Sequence, residues 1–78
     1  MREFTIYLSS VRQILNFVSL ATVQPFDVRV ENSRQWANGK SFLGMLTLDH
    51  SGGVRVKIDC DEAAFLAFRE EAEKVRVH

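Results

Sequence analysis

Long apolar runs, paired cysteines and net charge are all missing from this chain. No segment approaches the roughly 20 apolar residues that a membrane-spanning helix needs. The N-terminus, MREFTIYLSS, has no apolar run long enough for a secretory signal. Cys60 is the only cysteine, so no internal disulfide can form and a disulfide-stapled secreted scaffold is excluded. The expected location is therefore the cytoplasm, with no membrane partner. Lys plus Arg (10) equals Asp plus Glu (10), giving a formal net charge of zero. A general nucleic-acid binder draws its affinity from excess cationic charge, so no nucleic-acid partner is expected. The chain has two histidines, His50 in a polar stretch and His78 at the end. With a single cysteine they make no metal-ligand spacing, and neither a metal nor another cofactor is expected.

What is present is ordinary for a small globular domain: 78 residues, 46% hydrophobic and 26% charged. A chain of this length buries only about 60% of its unfolded surface, so it has room for one sheet and a few helices and little for an enclosed cavity. No internal repeat or low-complexity tract divides it, and residues 1–78 are read as one domain.

Phe4, Ile6 and Leu8 alternate with Glu3, Thr5 and Tyr7, the period of a strand with one buried face. Ser10 to Gln13 then reads as a Ser-x-x-Gln capping box. Val11, Ile14, Leu15, Val18 and Ala21 follow at helical spacing, predicting a helix from about Val11 to Ala21. Pro25 closes the connection. Phe26, Val28 and Val30 alternate with Asp27, Arg29 and Glu31 as a second strand. Asn32-Ser33 is a turn signal, and Arg34 to Ala37 returns as a short third strand, with Trp36 at either a core or an edge position. After the loop Asn38-Gly39-Lys40, Ser41 caps a short second helix, Phe42 to Leu48. Asp49 to Gly53 is a turn. Val54, Val56, Ile58 and Cys60 alternate with Arg55, Lys57 and Asp59 as a fourth strand, with Cys60 a core residue at its end. Asp61 caps a last helix striped by Phe65, Phe68, Ala72 and Val75. The order is β-α-β-β-α-β-α. Strands apolar on one face only require helices on that face and water on the other, so an α+β open-faced sandwich with a largely antiparallel four-stranded sheet is predicted.

This order, with the segment Lys40-Ser41-Phe42-Leu43-Gly44-Met45-Leu46-Thr47-Leu48, resembles the HPr family, the phosphocarriers of the phosphoenolpyruvate-dependent sugar phosphotransferase system. The second-helix motif of that family runs Lys-Ser, two apolar residues, often Gly, two apolar residues, Ser or Thr, Leu. The resemblance covers roughly residues 3 to 75 and is strongest from Ala37 onward. It implies that Ser41 matches a regulatory serine, modified by an ATP-dependent HPr-type kinase/phosphatase. It also implies that the phosphoserine form docks on a LacI-type transcriptional regulator in carbon catabolite repression. The first helix departs from the family. A phosphocarrier has Gly-Leu-His-x-Arg-Pro-Ala there, and the histidine accepts phosphate. Arg12 matches the family arginine, Ser10 falls where the histidine should be, Gln13 replaces the proline, and the preceding loop is shorter. Phosphoryl relay between proteins uses an imidazole nitrogen that is nucleophilic near neutral pH and gives a labile phosphoramidate. A serine hydroxyl has neither property, so a competent phosphocarrier is not expected. A catabolite-repression homologue of the family likewise lacks this histidine and keeps the serine.

Each of these residues also has an ordinary explanation. Ser41 and Ser10 cap helices, worth about 1 kcal/mol each. Arg12 can be a solvated side chain, and its match to a phosphate-contacting arginine makes it a candidate binding residue. Lys40 would add a cation beside Ser41. Phe42, Leu43, Met45, Leu46 and Leu48 exceed what a short one-sided helix buries. Some of Phe42, Leu43 and Leu46 must therefore face outward, and an apolar patch beside Ser41 would be a docking surface. Gly39-Lys40-Ser41 resembles the end of a phosphate-binding loop, but Arg34 stands where that motif needs a glycine, so nucleotide hydrolysis is rejected. No triad of nucleophile, base and orienting group is visible, and no enzymatic activity is expected.

Four functional readings follow. The first is a regulatory interaction protein switched at Ser41. The second is a residual phosphotransfer protein, for which His50 is the remaining candidate. The third is a nucleic-acid-binding sandwich, disfavoured because the outward strand residues are mostly polar with only Tyr7 aromatic. The fourth is an HPr-fold binding module unrelated to sugar uptake. The oligomeric state is not set by the sequence.

Overall fold

The computed structural model describes residues 1–76. The elements run β1 (Arg2–Ile6), α1 (Val11–Thr22), β2 (Val28–Glu31), β3 (Trp36–Asn38), α2 (Phe42–Thr47), β4 (Val54–Ile58) and α3 (Glu62–Val75). The sheet order is β1-β4-β2-β3 and every pairing is antiparallel. Period-two patterning sets the register. Ile6 opposes Val54, Phe4 opposes Val56, and Val56 in turn opposes Val30, so the apolar residues of neighbouring strands share one face. Val28, Val30, Val54, Val56 and Ile58 are buried there, while Arg29, Arg55 and Lys57 alternate onto the other face. The three helices cover the apolar face, which is the open-faced sandwich expected from the alternation.

Phe68 of α3 organises the core. It is buried and meets Phe4, Phe17 and Phe26 edge-to-face at centroid distances of 6.0, 6.0 and 5.6 Å. Each such pair contributes about 0.5–1.5 kcal/mol beyond its buried area. One ring thereby ties together β1, α1, the α1–β2 connection and α3.

Several boundaries differ from the sequence expectation. β1 stops at Ile6 because its partner β4 begins at Val54, opposite Ile6. Leu8 is still buried but has no ladder partner. β2 begins at Val28, opposite the last residue of β4, Ile58, so Phe26 packs on Phe68 without being in the sheet. Arg34 and Gln35 belong to a turn because their N–H groups both donate to Asn32 Oδ1 at 2.8 Å. β3 is therefore Trp36–Asn38, and Asn38 pairs with Arg29 instead of opening the loop. α2 ends at Thr47, with Leu48 extended. Cys60 lies just beyond β4 and is half-buried against the core. The buried stripe of α1 is Ile14, Phe17, Val18 and Ala21; Val11 and Leu15, expected inside, face out.

Candidate functional site

Ser10 is extended (φ −148°, ψ 159°) and exposed, and its Oγ accepts the Gln13 N–H at 3.1 Å to start α1. The reciprocal half of the expected box is displaced by one residue. Gln13 Oε1 accepts from the Ser9 N–H at 2.8 Å and the Ser9 hydroxyl at 3.1 Å. The same amide donates through Nε2 to the Arg76 carbonyl at 3.2 Å, so it joins the start of α1 to the end of α3. Sequence patterning points to the cap but not to this cross-link, which spans 63 residues. Arg12 lies in the first turn of α1, exposed, and makes no hydrogen bond or ion pair through its side chain among the described residues.

Ser41 caps α2 in the same way, with Oγ accepting the Gly44 N–H at 3.1 Å. Its surroundings are tighter. A Cβ added at Gly44 would lie 3.1 Å from Ser41 Oγ, so the glycine keeps the space beside the hydroxyl clear. Lys40 Nζ donates to the Gln24 carbonyl at 2.9 Å, which ties the α1–β2 connection to the β3–α2 loop. The apolar surplus of α2 divides as patterning required. Met45 and Leu48 are buried, Phe42 is half-buried against the core, and Leu43 and Leu46 face out, 76% and 39% exposed. α1 packs against α2 and adds the outward Val11 and Leu15 to the exposed apolar surface of the helix layer.

His50, the alternative phosphoryl acceptor, is held as a structural residue. Its Nε2 lies 2.7 Å from the Met45 carbonyl, and a carbonyl only accepts, so Nε2 carries the proton. The other ring nitrogen, Nδ1, is buried and has no hydrogen-bond partner among the described residues. Neither nitrogen is presented to a donor. His78 lies outside the described residues. Among the described residues no group of His, Cys, Asp and Glu side chains gathers to hold a metal, and no helix is long and apolar enough to cross a membrane.

The opposite face of the sheet carries an ion network around Glu31. Lys57 Nζ lies 2.8 Å, Arg29 Nε 3.1 Å and Arg55 Nη2 3.3 Å from its carboxylate. These bonds, that of Lys57 foremost, hold the Glu31 pKa down at about 2. The stabilisation this gives is fully present above the ordinary carboxylate value near 4.5 and drains away as pH falls toward 2. Trp36 resolves as an outward residue of the edge strand, 59% exposed, with the Arg29 guanidinium 4.3 Å from its ring centroid. Tyr7 is exposed on the same side of the molecule.

Compared with known proteins, residues 10–74 match the PTS-HPr family profile, described as the PTS HPr component phosphorylation site. No curated protein sequence matches the chain. Among solved structures, HPr-C-His from Thermoanaerobacter tengcongensis superposes with a TM-score of 0.76 at 23% identity, covering 100% of this chain and 98% of that one. A histidine-containing phosphocarrier protein of Mycoplasma gives 0.75 at 10% identity, covering 97% and 92%. The phosphocarrier protein HPr from Bacillus anthracis str. Ames gives 0.65 at 17% identity, covering 95% and 90%. At these identities the structural likeness speaks for the fold.

Proposed function

Because the chain belongs to the HPr family, we propose that it is a regulatory interaction protein of the sugar phosphotransferase system and not a competent phosphocarrier. Residues 1–78 act in this reading as one cytoplasmic HPr-like domain that binds and is modified, without catalysing a reaction. The observation that carries it is the start of α1. Ser10 stands there, a hydroxyl at the position where the resemblance expects an imidazole, and that hydroxyl is engaged as a helix cap. A capped hydroxyl without a neighbouring base is a poor phosphoryl relay, since serine needs an activating partner and yields a stable ester.

Ser41 is the proposed control point and Leu43 and Leu46 the proposed contact surface. Phosphorylation would add about two negative charges at neutral pH next to two outward leucines. A partner presenting arginines beside a hydrophobic groove would distinguish the two forms. Two protein partners fit this reading: an HPr-type serine kinase/phosphatase and a LacI-type transcriptional regulator. Lys40 spends one of its three ammonium N–H donors on the Gln24 carbonyl and keeps the others for a phosphate, and Arg12 is a second candidate cation, exposed in the first turn of α1.

Two incubations test the reading. With phosphoenolpyruvate and the general phosphotransferase enzyme, the protein should acquire no acid-labile phosphoryl group; a stoichiometric one overturns the loss of carrier function. With the serine kinase and ATP, a stable phosphate should map to Ser41 and raise affinity for the regulator. Labelling elsewhere, or labelling without a change in affinity, returns Ser41 to a helix cap.

A further inference from the structure

Zero net charge conceals a division along the chain. Residues 1–58 carry seven Lys and Arg against four Asp and Glu, whereas residues 59–78 carry three against six. Part of the cationic surplus is gathered on the sheet face that no helix covers. Two rows cross that face from β1 to β3: Glu3, Lys57, Arg29 and Asn38 in one, and Thr5, Arg55, Glu31 and Trp36 in the next. Beside the second row lies a groove of about 830 Å³ between the Asn32–Gln35 and Asp49–Gly53 turns, with Tyr7 and Arg34 in its lining. Asn32 Nδ2 donates to the Asp49 carbonyl at 3.1 Å and locks one turn to the other, and Asp49 Oδ1 holds the Ser51 N–H at 2.9 Å. The two exposed aromatics stand at opposite margins of the face, about 14 Å apart across three strand spacings and offset by two residues along the strands, since Trp36 shares its row with Thr5.

We propose that this open sheet face binds single-stranded nucleic acid, with Trp36 and Tyr7 stacking on bases and Arg29, Arg34, Arg55 and Lys57 facing the backbone. The expectation of no nucleic-acid partner rested on total charge and on Tyr7 as the sole outward aromatic. Trp36 on β3 and the uneven distribution of charge remove both grounds. Arg29 already lies over one side of the Trp36 ring, and 59% of the residue is open to solvent for a base. Glu31 at the centre of the face cancels one of the three positive charges of Lys57, Arg29 and Arg55, which all contact it, and two remain for a backbone. The arrangement disfavours a protein partner on this side. Protein interfaces deplete charge at the centre and place apolar residues there, and here the centre is charged and the aromatics are marginal. Nucleic-acid interfaces are polar, wet and cationic, with bases held on aromatic platforms, and sheets of this kind take two or three bases. With four cations against Glu3, Glu31 and Asp49 the net attraction is small, so binding depends on stacking and is weak.

The test is a titration of the intact protein with fluorescein-labelled ten-nucleotide oligouridylate, read by anisotropy, with the emission of the chain's single tryptophan followed in parallel. Expected are saturable binding at low salt, quenching of Trp36, and a shallow salt dependence, with log K falling by about one per tenfold increase in salt. Trp36→Leu should weaken binding about tenfold or more with an unchanged circular dichroism spectrum. Arg55→Gln should remove most of the salt dependence. No binding at low salt overturns the proposal. So does Trp36→Leu binding as tightly as wild type, or polyglutamate quenching Trp36 as strongly as the oligonucleotide, which would make the face a site for acidic protein segments.

Discussion

Ser10 and Ser41 start their helices with the same bond, a backbone N–H donated to the hydroxyl at 3.1 Å, in settings that have little else in common. Ser10 is exposed, opens a 12-residue helix, and is surrounded by a surface network in which Gln13 reaches back to Ser9 and across to Arg76. Ser41 is half-buried and opens a six-residue helix at the end of a pinned loop. Gly39 N–H donates to the Val28 carbonyl at 2.7 Å, Lys40 N–H to Asn38 Oδ1 at 2.9 Å, and Ser41 N–H to the Asn38 carbonyl at 2.9 Å. A short helix has little cooperative stability of its own, so tertiary contacts must hold it. The start of α2 is consequently bound to the sheet. The start of α1 could lose a surface bond with little effect elsewhere.

The change expected to cost most exploits that difference. A Cβ at Gly39 would lie 2.5 Å from Val28 Cγ1 and 3.2 Å from the Val28 carbonyl, and Val28 is buried. Gly39→Ala should lower stability by about 1–3 kcal/mol as loop and strand are forced apart, and Tm should fall by several degrees. Urea denaturation followed by far-ultraviolet circular dichroism measures it; Trp36 is too exposed to report well on core opening. A loss below about 0.5 kcal/mol would mean that the loop yields freely and that the start of α2 is no more tightly held than that of α1.

Removing the two caps should then separate them. Ser41→Ala leaves the Gly44 N–H without its acceptor in a part-buried position, where water is a poor substitute, and should cost about 1.5–2 kcal/mol. Ser10→Ala exposes its orphan N–H to solvent and should cost about 0.5–1 kcal/mol. Equal losses would show that the hydroxyl bond alone, not its setting, fixes the value of each cap. Gln13→Ala comes next, at about 0.5–1 kcal/mol, because three exposed hydrogen bonds are lost but every partner remains reachable by water. Hydrogen exchange at Ser9 and at the end of α3 should accelerate together in that variant, since one amide serves both.

Local rules made much of this legible. Alternation placed the faces of β1, β2 and β4, and Ser10, Ser41 and Asp61 each cap the helix they were expected to cap. The strand ends were not legible, because a strand stops where its neighbour stops: β1 and β2 are trimmed by the length of β4, which neither sequence segment encodes. Leu15 and Val11 fit a helical stripe yet face out, while Phe17, which lies outside that stripe, is buried edge-to-face with Phe68. Lys40 and Gln24 are 16 residues apart, and nothing local predicts that an ammonium will be spent on a carbonyl there. The side of the sheet on which Trp36 lies was equally open, since β3 has only three residues and shows no full period.

Arg12 should give the smallest effect and the clearest sign. It sits in the first turn of α1, where the helix presents its unsatisfied N–H groups and the positive end of its dipole. A cation there is slightly unfavourable, and no carboxylate among the described residues offsets it. Alanine is also the better helix former by a few tenths of a kcal/mol at most. Arg12→Ala should therefore raise stability, by about 0.2–0.5 kcal/mol at low ionic strength, with the gain shrinking as salt screens the dipole. A structural arginine predicts the opposite sign and little dependence on salt. Paired urea titrations at low and high salt decide between them. If the domain is stabilised while its affinity for the regulator proposed above falls, Arg12 is held at the start of α1 for what it binds. If stability drops by more than about 1 kcal/mol, the residue belongs with Gln13 as part of the link that holds α1 to α3.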